Sequence, residues 1–256
     1  MSSPTPSPTA AVLVIGNEIL SGRTQDVNLR FLAQGLGARG IRLIEARVIP
    51  DIAAVIIDTV NELRARVDVL ITTGGIGPTH DDITSECIAA AFGVPWEPHP
   101  EAWARMEASY QPGEFNAARQ RMATMPRGAG LIDNAISIAP GFSIGNVHVM
   151  AGVPRIMQAM FATLAPRLPG GTPIAARAVY ALGAAEGRIA QGLAEVQARY
   201  PLADLGSYPF YRPAGNGVAI VAKGTETAML DAAIAEVTAL FLALGYTPEA
   251  GEPPAA

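Results

Sequence analysis

The feature of this sequence that most restricts its fold is a regular alternation of strand-like and helix-like segments between Ala11 and Pro95. Ala11–Ile15 is a short unbroken apolar run, Val67–Thr73 is a further predicted strand, and the β-branched stretch Ile41–Ile49 lies between them. A segment with helical spacing of apolar residues follows each run, so the predicted order is β-α-β-α-β-α. This alternation predicts an α/β fold with a mostly parallel sheet that helices cover on both faces.

A second, smaller unit is predicted after a Pro/Gly-rich stretch at 166–173, which is typical of a linker. The segments beyond it have the order β-α-β-β-α, which indicates a small α+β domain. The strands are predicted at Ala178–Leu182, Leu205–Pro209 and Val218–Lys223, and the helices at Glu186–Tyr200 and Glu226–Leu244. We therefore expect domains at 11–168 and 174–247, with disordered tails at 1–10 and 248–256.

Composition excludes several classes of function. The net charge is −5 and the Lys and Arg residues form no cluster, which argues against nucleic-acid binding. A single cysteine, Cys87, allows no disulfide within the chain, and the three histidines have no zinc-type spacing. No apolar run is long enough to cross a bilayer, and Met1–Thr9 lacks the pattern of a signal peptide. We expect a cytoplasmic protein that does not enter a membrane.

Polar and glycine-rich segments follow three of the predicted strands. They are Gly16-Asn17-Glu18, Pro50-Asp51 and the loop Gly74–Asp82. Ligands of parallel α/β sheets gather at the carboxyl ends of the strands, so these segments predict one site at one edge of the sheet.

The loop Gly74-Gly75-Ile76-Gly77 lies between a predicted strand and a predicted helix. Glycines allow backbone N–H groups to approach phosphate oxygens closely, and a nearby helix start adds partial positive charge. A tight turn between strand and helix is the alternative, because it also requires glycine. The loop is neither a Walker A motif nor a G-x-G-x-x-G motif.

Asp81 and Asp82 directly follow this loop. Two adjacent carboxylates repel an anionic ligand unless a divalent cation lies between them, so Asp82 is a candidate metal ligand. Its alternative role is to cap the next helix, and Asp81 is then a solvated neighbour. Asp51 has the same two interpretations, and on an adjacent loop it could share a metal with Asp82. Arg23 is a candidate phosphate ligand.

With these residues in view, the sequence resembles the molybdopterin-binding domain family, and within it the N-terminal region of the competence/damage-inducible A proteins. The likeness runs from about Ala11 to Leu168 and is most specific at Thr72–Asp82. The matching stretches are Gly16–Gly22, Asn28, Pro50-Asp51, Thr72–Thr84, Ala139–Phe142 and Gly152–Pro154.

The resemblance implies a three-layer sandwich, a homo-oligomer and a site built on the matching residues. Asp51 and Asp82 correspond to the important acidic residues of the molybdopterin adenylyltransferase branch, and we predict them as catalytic and metal-binding. The predicted ligand-binding residues are Gly16, Glu18, Asn28, Thr73, Gly74, Gly75, Gly77, Asp81, Pro140, Gly141 and Gly152. Two positions depart from the family pattern: Ala151 replaces a proline and Met122 replaces a glutamine. Either difference could mark a changed ligand or a lost activity.

The competence-protein branch implies metal-dependent hydrolysis of a nucleotide pyrophosphate such as ADP-ribose or FAD. Our leading hypothesis is therefore a pyrophosphatase that uses Mg²⁺, Mn²⁺ or Co²⁺. One alternative is a molybdopterin-binding protein or adenylyltransferase of molybdenum cofactor biosynthesis. The other is a nucleotide-binding protein without enzymatic activity. The amidase domain that many of these proteins carry further on has no room in this sequence.

Overall fold

The computed structural model describes residues 7–213 and 215–254. The chain divides into two compact units between Gly171 and Thr172. In the first unit the strands are β1 (Thr9–Ile15), β2 (Arg42–Ile49), β3 (Val69–Thr73), β4 (Trp96–Pro98), β5 (Thr124–Pro126), β6 (Gly130–Ile132), β7 (Gly141–Ile144) and β8 (Val147–Met150). Its helices are α1 (Asn17–Leu20), α2 (Asn28–Ala38), α3 (Ala53–Arg64), α4 (Thr84–Phe92), α5 (Pro100–Ser109), α6 (Ala117–Arg121) and α7 (Pro154–Leu164), followed by a 3₁₀ turn at Ala165–Arg167.

The first unit is built on a six-stranded sheet with the order β2-β1-β3-β8-β7-β6. The neighbouring strands β2, β1, β3 and β8 are parallel, whereas β7 is antiparallel to both of its neighbours. The predicted mostly parallel sheet is therefore confirmed. An antiparallel edge on a parallel sheet is common in large α/β sheets.

Helices cover both faces of this sheet and make the three-layer sandwich that was expected. Leu13 and Ile15 of β1 pack in one buried cluster with residues of α3, α4 and α5. Val12 and Val14 point to the opposite face, where they pack with α2 and α7. Because successive side chains of a strand alternate between the two faces, both faces of a sheet strand such as β1 must be apolar, and this explains its unbroken apolar run.

The region between α4 and β7 departs from the sequence prediction. The sequence pattern predicts turns at 126–141, but this stretch contains β6, and β4 pairs with β5 in a separate two-stranded sheet. The pattern also predicts a helix at Glu114–Met122, whereas α6 begins at Ala117, because the Asn116 side chain accepts a hydrogen bond from the Arg119 N–H and caps it there.

The second unit has the predicted β-α-β-β-α order and one additional strand. Its four-stranded antiparallel sheet has the order β10-β11-β9-β12. Apolar residues of its two helices pack with residues of β9 and β11 in one buried cluster. The elements are β9 (Ala175–Leu182), α8 (Glu186–Arg199), β10 (Asp204–Arg212), β11 (Gly215–Gly224), α9 (Thr227–Ala243) and β12 (Pro248–Ala250).

The predicted disordered tails are wrong where they reach these elements. At the N-terminal side, Thr9 and Ala10 belong to β1, and the Thr9 N–H donates to the Asp68 carboxylate at 2.7 Å. At the C-terminal side, β12 pairs with β9, although its composition resembles a tail. Strand pairing satisfies backbone groups whatever the side chains are. The tail predictions for residues 1–6 and 255–256 lie outside the described residues.

Across residues 7–213 and 215–254, we find no helix that combines the length and the apolarity needed to cross a bilayer.

His148 on β8 gives the first unit a predicted pH dependence. Burial, with a smaller contribution from the charge of Arg167, lowers the pKa of this imidazole from 6.5 to about 4, and its Nδ1 lies 2.9 Å from Ser143 Oγ. Between those two pH values the imidazole binds a proton in the unfolded chain more readily than in the folded one. The free energy of unfolding therefore keeps the full contribution of His148 above pH 6.5 and loses it as the pH drops towards 4. We expect a loss of at most about 3 kcal/mol across this window.

Denaturant unfolding followed by tryptophan fluorescence at pH 8 and pH 5 measures this loss, because Trp96 and Trp103 both lie in the first unit. The variant His148→Gln should show a smaller pH dependence, and His80→Gln, on an exposed loop, should keep that of the wild type. Equal pH dependence in wild type and His148→Gln contradicts the assignment.

Candidate functional site

Hydrogen bonds connect the carboxyl ends of the four parallel strands. The Gly16 N–H donates to the Ile49 carbonyl at 3.1 Å and joins the end of β1 to that of β2. The Gly74 N–H donates to the Met150 carbonyl at 3.1 Å and joins β3 to β8. The predicted convergence of the segments after β1, β2 and β3 at one edge is therefore confirmed.

Asn28 holds this edge together from the start of α2. Its side chain is 5% exposed, and its Nδ2 donates to the Gly152 carbonyl at 2.8 Å, just beyond β8. A Cβ placed on Gly152 would lie 3.3 Å from the Gly74 Cα, so the two loops touch through their backbones. The structure thus gives Asn28 and Gly152, both predicted as ligand-binding residues, a role in positioning the loop that begins at Gly74.

The first two glycines of this loop are required by its conformation. Gly74 has φ +102°, and a Cβ there would lie 2.1 Å from the carbonyl oxygen of Ile15. Gly75 has φ +66°, and a Cβ there would lie 2.1 Å from Thr84 Oγ1. A side chain at either position would clash with these atoms, and it would also have to adopt the left-handed backbone conformation that is unfavourable for residues other than glycine. The tight-turn interpretation therefore accounts for both glycines, whether or not they bind a ligand.

The amides after Gly74 are available to a ligand. The Gly74 N–H is used by Met150, but in the described ranges no acceptor takes the N–H groups of Gly75, Ile76 or Gly77. The residues themselves are partly exposed. Three successive donors without protein partners, in a loop that leads to a helix, form a suitable surface for an anionic oxygen.

Asp82 lies over this loop and does not cap the following helix. Its Oδ2 accepts hydrogen bonds from the Thr79 N–H at 2.8 Å and from Thr79 Oγ1 at 2.5 Å. Helix α4 begins at Thr84 without a side-chain cap, so the capping alternative for Asp82 is wrong. A Cβ on Gly77 would lie 2.7 Å from Asp82 Oδ2, and glycine there lets the carboxylate approach the loop backbone.

Asp81 is the more exposed of the two acids. Thr79 Oγ1 lies 2.6 Å from its Oδ1, and this hydrogen bond is the main cause that lowers the pKa of Asp81. The Thr79 hydroxyl carries one hydrogen, so it donates to only one of the two aspartates at a time. The hydroxyl therefore stabilises the carboxylate of either Asp81 or Asp82, and the other carboxylate has one protein donor fewer.

Asp51 is directed at the loop after β1. Its Oδ2 accepts a hydrogen bond from the Asn17 N–H at 2.8 Å, and helix α3 has no side-chain cap, so the capping alternative is wrong here too. The prediction that Asp51 and Asp82 lie on adjacent loops is also wrong, because β1 separates β2 from β3. At about 4.8 Å per strand, the ends of β2 and β3 are roughly 10 Å apart.

Within the described part of the chain, no group of three or more His, Cys, Asp and Glu side chains is placed to hold a metal ion. Oδ1 of Asp51 and Oδ1 of Asp82 accept no hydrogen bond from any described residue. One or two carboxylates completed by water and phosphate oxygens is the arrangement that Mg²⁺ prefers, and each of these two side chains can supply one such carboxylate oxygen.

Of the remaining predicted site residues, one is exposed at the edge of the sheet and two are buried. Glu18 is exposed, and its carboxylate lies 2.6 Å from where a Cβ on Gly16 would be, at the end of β1. Thr73 is 1% exposed and Gly141 packs its backbone against the Val149 carbonyl, so both are enclosed by protein.

A small cleft beside Asp82 contains residues that the sequence patterns did not indicate. Its cavity volume of about 10 Å³ suits roughly one water molecule. Trp96 of β4 and Arg121 of α6 form one wall, and the guanidinium carbon lies 5.1 Å from the centroid of the indole ring. Pairing of β4 with β5 brings these distant segments together, and no local periodicity reveals it. The other lining residues are Ile76, Gly77, Asp82, Ser85, Met122, Thr124, Met125, Pro140 and Phe142.

Both units of the chain match known protein families. Residues 11–170 match the family described as "Probable molybdopterin binding domain", and residues 173–246 match the one described as "FAD synthase, middle domain". The first match covers more than half of the chain and contains every residue of the edge described above.

Individual relatives agree with this. A CinA-like protein from Citrifermentans bemidjiense is 40% identical over 167 residues, which make up 62% of this chain and 40% of that protein. A protein from Pyrobaculum calidifontis is 34% identical over 212 residues, or 79% of this chain and 81% of that protein. The crystal structure of the protein CinA with unknown function from Thermoplasma acidophilum is 29% identical, with a TM-score of 0.60, over 63% of this chain and 98% of that one.

The matched segment thus spans less than half the length of the CinA-like relatives and most of the Pyrobaculum protein. By its sequence and by the fold of its first unit, the chain belongs to the molybdopterin-binding domain family.

Proposed function

We propose that this chain is a metal-dependent pyrophosphatase that acts on an ADP-ribose-like or FAD-like dinucleotide. The observation that carries the proposal is the row of three N–H donors at Gly75, Ile76 and Gly77, which ends at Gly77 beside the Asp82 carboxylate. N–H donors alone could bind any anion. A carboxylate next to them repels an anion unless a cation lies between, and a nucleotide pyrophosphate binds as a complex with a divalent cation.

The reaction splits one bond and consumes one water. The water oxygen forms a bond with one phosphorus, the bridging P–O bond breaks, and its electron pair stays on the other phosphate, while the protons of the water are released to solvent. ADP-ribose would give AMP and ribose 5-phosphate. The amides of Gly75 and Gly77 would hold the phosphate oxygens and stabilise the charge that develops on them, because they are fixed in place before the reaction.

Asp82, beside Gly77 of the loop, would hold the divalent cation at the phosphates, and Asp51 would supply a second carboxylate at the same edge of the sheet through its free oxygen. When bound, Mg²⁺, Mn²⁺ or Co²⁺ would neutralise phosphate charge and lower the pKa of water. Thr79 positions Asp82 through its backbone N–H, while its hydroxyl is shared between Asp82 and Asp81, and Asn17 positions Asp51 through one hydrogen bond. Supporting partners of this kind fix the orientation of carboxylate ligands.

The choice of substrate class rests on the combination of two domains in one chain. The second unit matches a domain that is named for FAD synthase. FAD and ADP-ribose both consist of adenosine joined through a pyrophosphate to a second group, so one phosphate site can serve both.

Adenylyl transfer to molybdopterin, or simple binding of it, is the second candidate, because the matched family is named for molybdopterin binding. It would use the same loop. The two candidates differ in what accepts the AMP group, which is water in one case and the pterin in the other.

Chromatographic separation of the nucleotide products from a panel of reactions tests the proposal. The panel contains ADP-ribose or FAD with each of the three metals, and ATP with molybdopterin. We expect metal-stimulated release of AMP from a dinucleotide. Transfer of AMP from ATP to the pterin without dinucleotide hydrolysis would favour the second candidate. Binding of ADP-ribose in calorimetry, without turnover under any metal, would leave a non-enzymatic binding protein.

A further inference from the structure

Arg121 is a cation without a carboxylate partner at the edge of the candidate site. No Asp or Glu among the described residues lies within ion-pair distance of it. Its Nη2 donates to the backbone carbonyl of Asp82 at 3.2 Å, and its buried Nε has no hydrogen-bond partner in the same residues. The hydrogen bond to Asp82 therefore places the guanidinium at the edge of the loop that carries the candidate phosphate site.

Trp96 keeps the guanidinium in place. The indole N–H of Trp96 donates to Ser85 Oγ and to the Thr124 carbonyl, each at 3.0 Å, so the ring is fixed between α4 and β5. The guanidinium carbon lies 5.1 Å from the ring centroid. An arginine packed on an aromatic ring retains its edge N–H groups for a ligand and loses little conformational entropy when it binds one.

The surroundings of Arg121 favour a phosphate as its ligand. It is the only basic residue in the lining of the cleft, which also contains Gly77 of the amide row and the carboxylate of Asp82. The rest of the lining is apolar or weakly polar. Because the cavity has room for only about one water, a phosphate would sit at its mouth, between the amides and the guanidinium.

We propose that Arg121 is the side chain that binds the second phosphate of a nucleoside diphosphate group, opposite the amides of Gly75, Ile76 and Gly77. The inference rests on the proposed use of this loop as a phosphate site. It adds a ligand-binding residue outside the loops at the ends of β1, β2 and β3, and it identifies β4, β5 and α6 as the elements that position it. It also gives the Trp96–Arg121 pair a function beyond packing.

Titration with ADP in the presence of Mg²⁺ tests this inference by calorimetry. Arg121→Gln should bind ADP about 10- to 100-fold more weakly than the wild type, since it loses a charge-assisted hydrogen bond. Arg121→Lys should fall between the two, because it keeps the charge but loses the planar fork. The matched control is Arg119→Gln on the same helix, where Arg119 lies over Tyr110 and near Glu114, and this variant should bind like the wild type.

A second readout is the fluorescence of Trp96 in a Trp103→Phe background, where it is the only tryptophan. ADP should change this emission in the background protein but not after Arg121→Gln. Thermal unfolding of each variant establishes that it is folded, and Arg121→Lys remains informative if Arg121→Gln is not.

The outcomes separate this inference from the proposed function. Wild-type affinity in a folded Arg121→Gln protein overturns the role of Arg121, even if the wild type hydrolyses ADP-ribose. A loss of affinity in Arg121→Gln without any hydrolysis by the wild type supports Arg121 and overturns the pyrophosphatase. A wild type that binds no ADP and hydrolyses no ADP-ribose overturns both.

Discussion

Replacing Asp82 with asparagine is expected to lower metal-stimulated turnover of ADP-ribose by roughly three orders of magnitude, comparable to the loss of a principal charge-stabilising group. Asparagine has nearly the shape of aspartate, and its oxygen can still accept the hydrogen bond that the Thr79 N–H donates to Asp82 Oδ2. The loop should therefore keep its conformation while the anionic ligand for the cation is lost. Steady-state assays at saturating Mn²⁺ measure the effect.

Asp81→Asn is the matched control for this change. Asp81 is more exposed and shares the Thr79 hydroxyl with Asp82, but the amide row lies against Asp82. We expect the turnover of Asp81→Asn to fall by at most about tenfold, because the lost charge would change only the rate at which the charged substrate approaches the site. If Asp82→Asn is folded and turns over ADP-ribose like the wild type, Asp82 has no part in the mechanism.

Replacing Gly74 with alanine is expected to cause the largest loss of stability among the loop substitutions. The residue has φ +102°, and the added methyl group would lie 2.1 Å from the Ile15 carbonyl oxygen inside the sheet. Backbone strain and the displacement of β1 together should cost at least ~3 kcal/mol. A change of this size lowers the melting temperature by on the order of 10 °C in a domain of this length.

Gly22→Ala separates the two causes of this loss. Gly22 also has a positive φ, +71°, but nothing lies within 4 Å of the position of its Cβ. Only strain acts there, so we expect a loss of about 1 kcal/mol. Tryptophan fluorescence during unfolding reports on both variants, since both tryptophans belong to the same unit as the two glycines. Equal losses in the two variants would show that the contact with Ile15 does not constrain the loop.

The parallel sheet and its ligand-binding edge could be predicted because their signals are local. β1 is apolar from Ala10 to Ile15, β3 is a buried run of apolar and threonine residues, and each is followed by glycine where the chain turns. The carboxyl ends of parallel strands meet at one edge whatever the loops contain. Hence the convergence of Gly16, Asp51 and Gly74 followed from the order of strands and helices.

The parts that could not be predicted depend on long-range pairing. β4, β5, β6 and β12 have three residues each, too few to show a two-residue period. Without the β4–β5 pair, nothing in the sequence connects Trp96 with Arg121. The capping interpretation of Asp51 and Asp82 was wrong for two different reasons: Asp51 accepts a hydrogen bond from the distant Asn17 N–H at the start of α1, and Asp82 accepts one from the Thr79 N–H in its own loop.

The two departures from the family pattern now have positions in the fold. Met122 lines the cleft beside Asp82, so the difference there changes the wall on which a ligand would lie. Ala151 directly follows β8, and its N–H lies 3.4 Å from the Met160 sulfur, next to the Gly152 carbonyl that Asn28 holds. The first difference bears on the choice of ligand, and the second on the support of the loop.

Amide NMR of the ¹⁵N-labelled chain, titrated with ADP-ribose and then with Mn²⁺, tests most directly whether phosphate oxygens bind the amides beside Asp82. We expect the signals of Gly75, Ile76 and Gly77 to shift with ADP-ribose, and signals around Asp82 and Asp51 to broaden when the paramagnetic ion is added. Shifts confined to other parts of the chain, with these three amides unchanged at saturating ligand, would contradict the account.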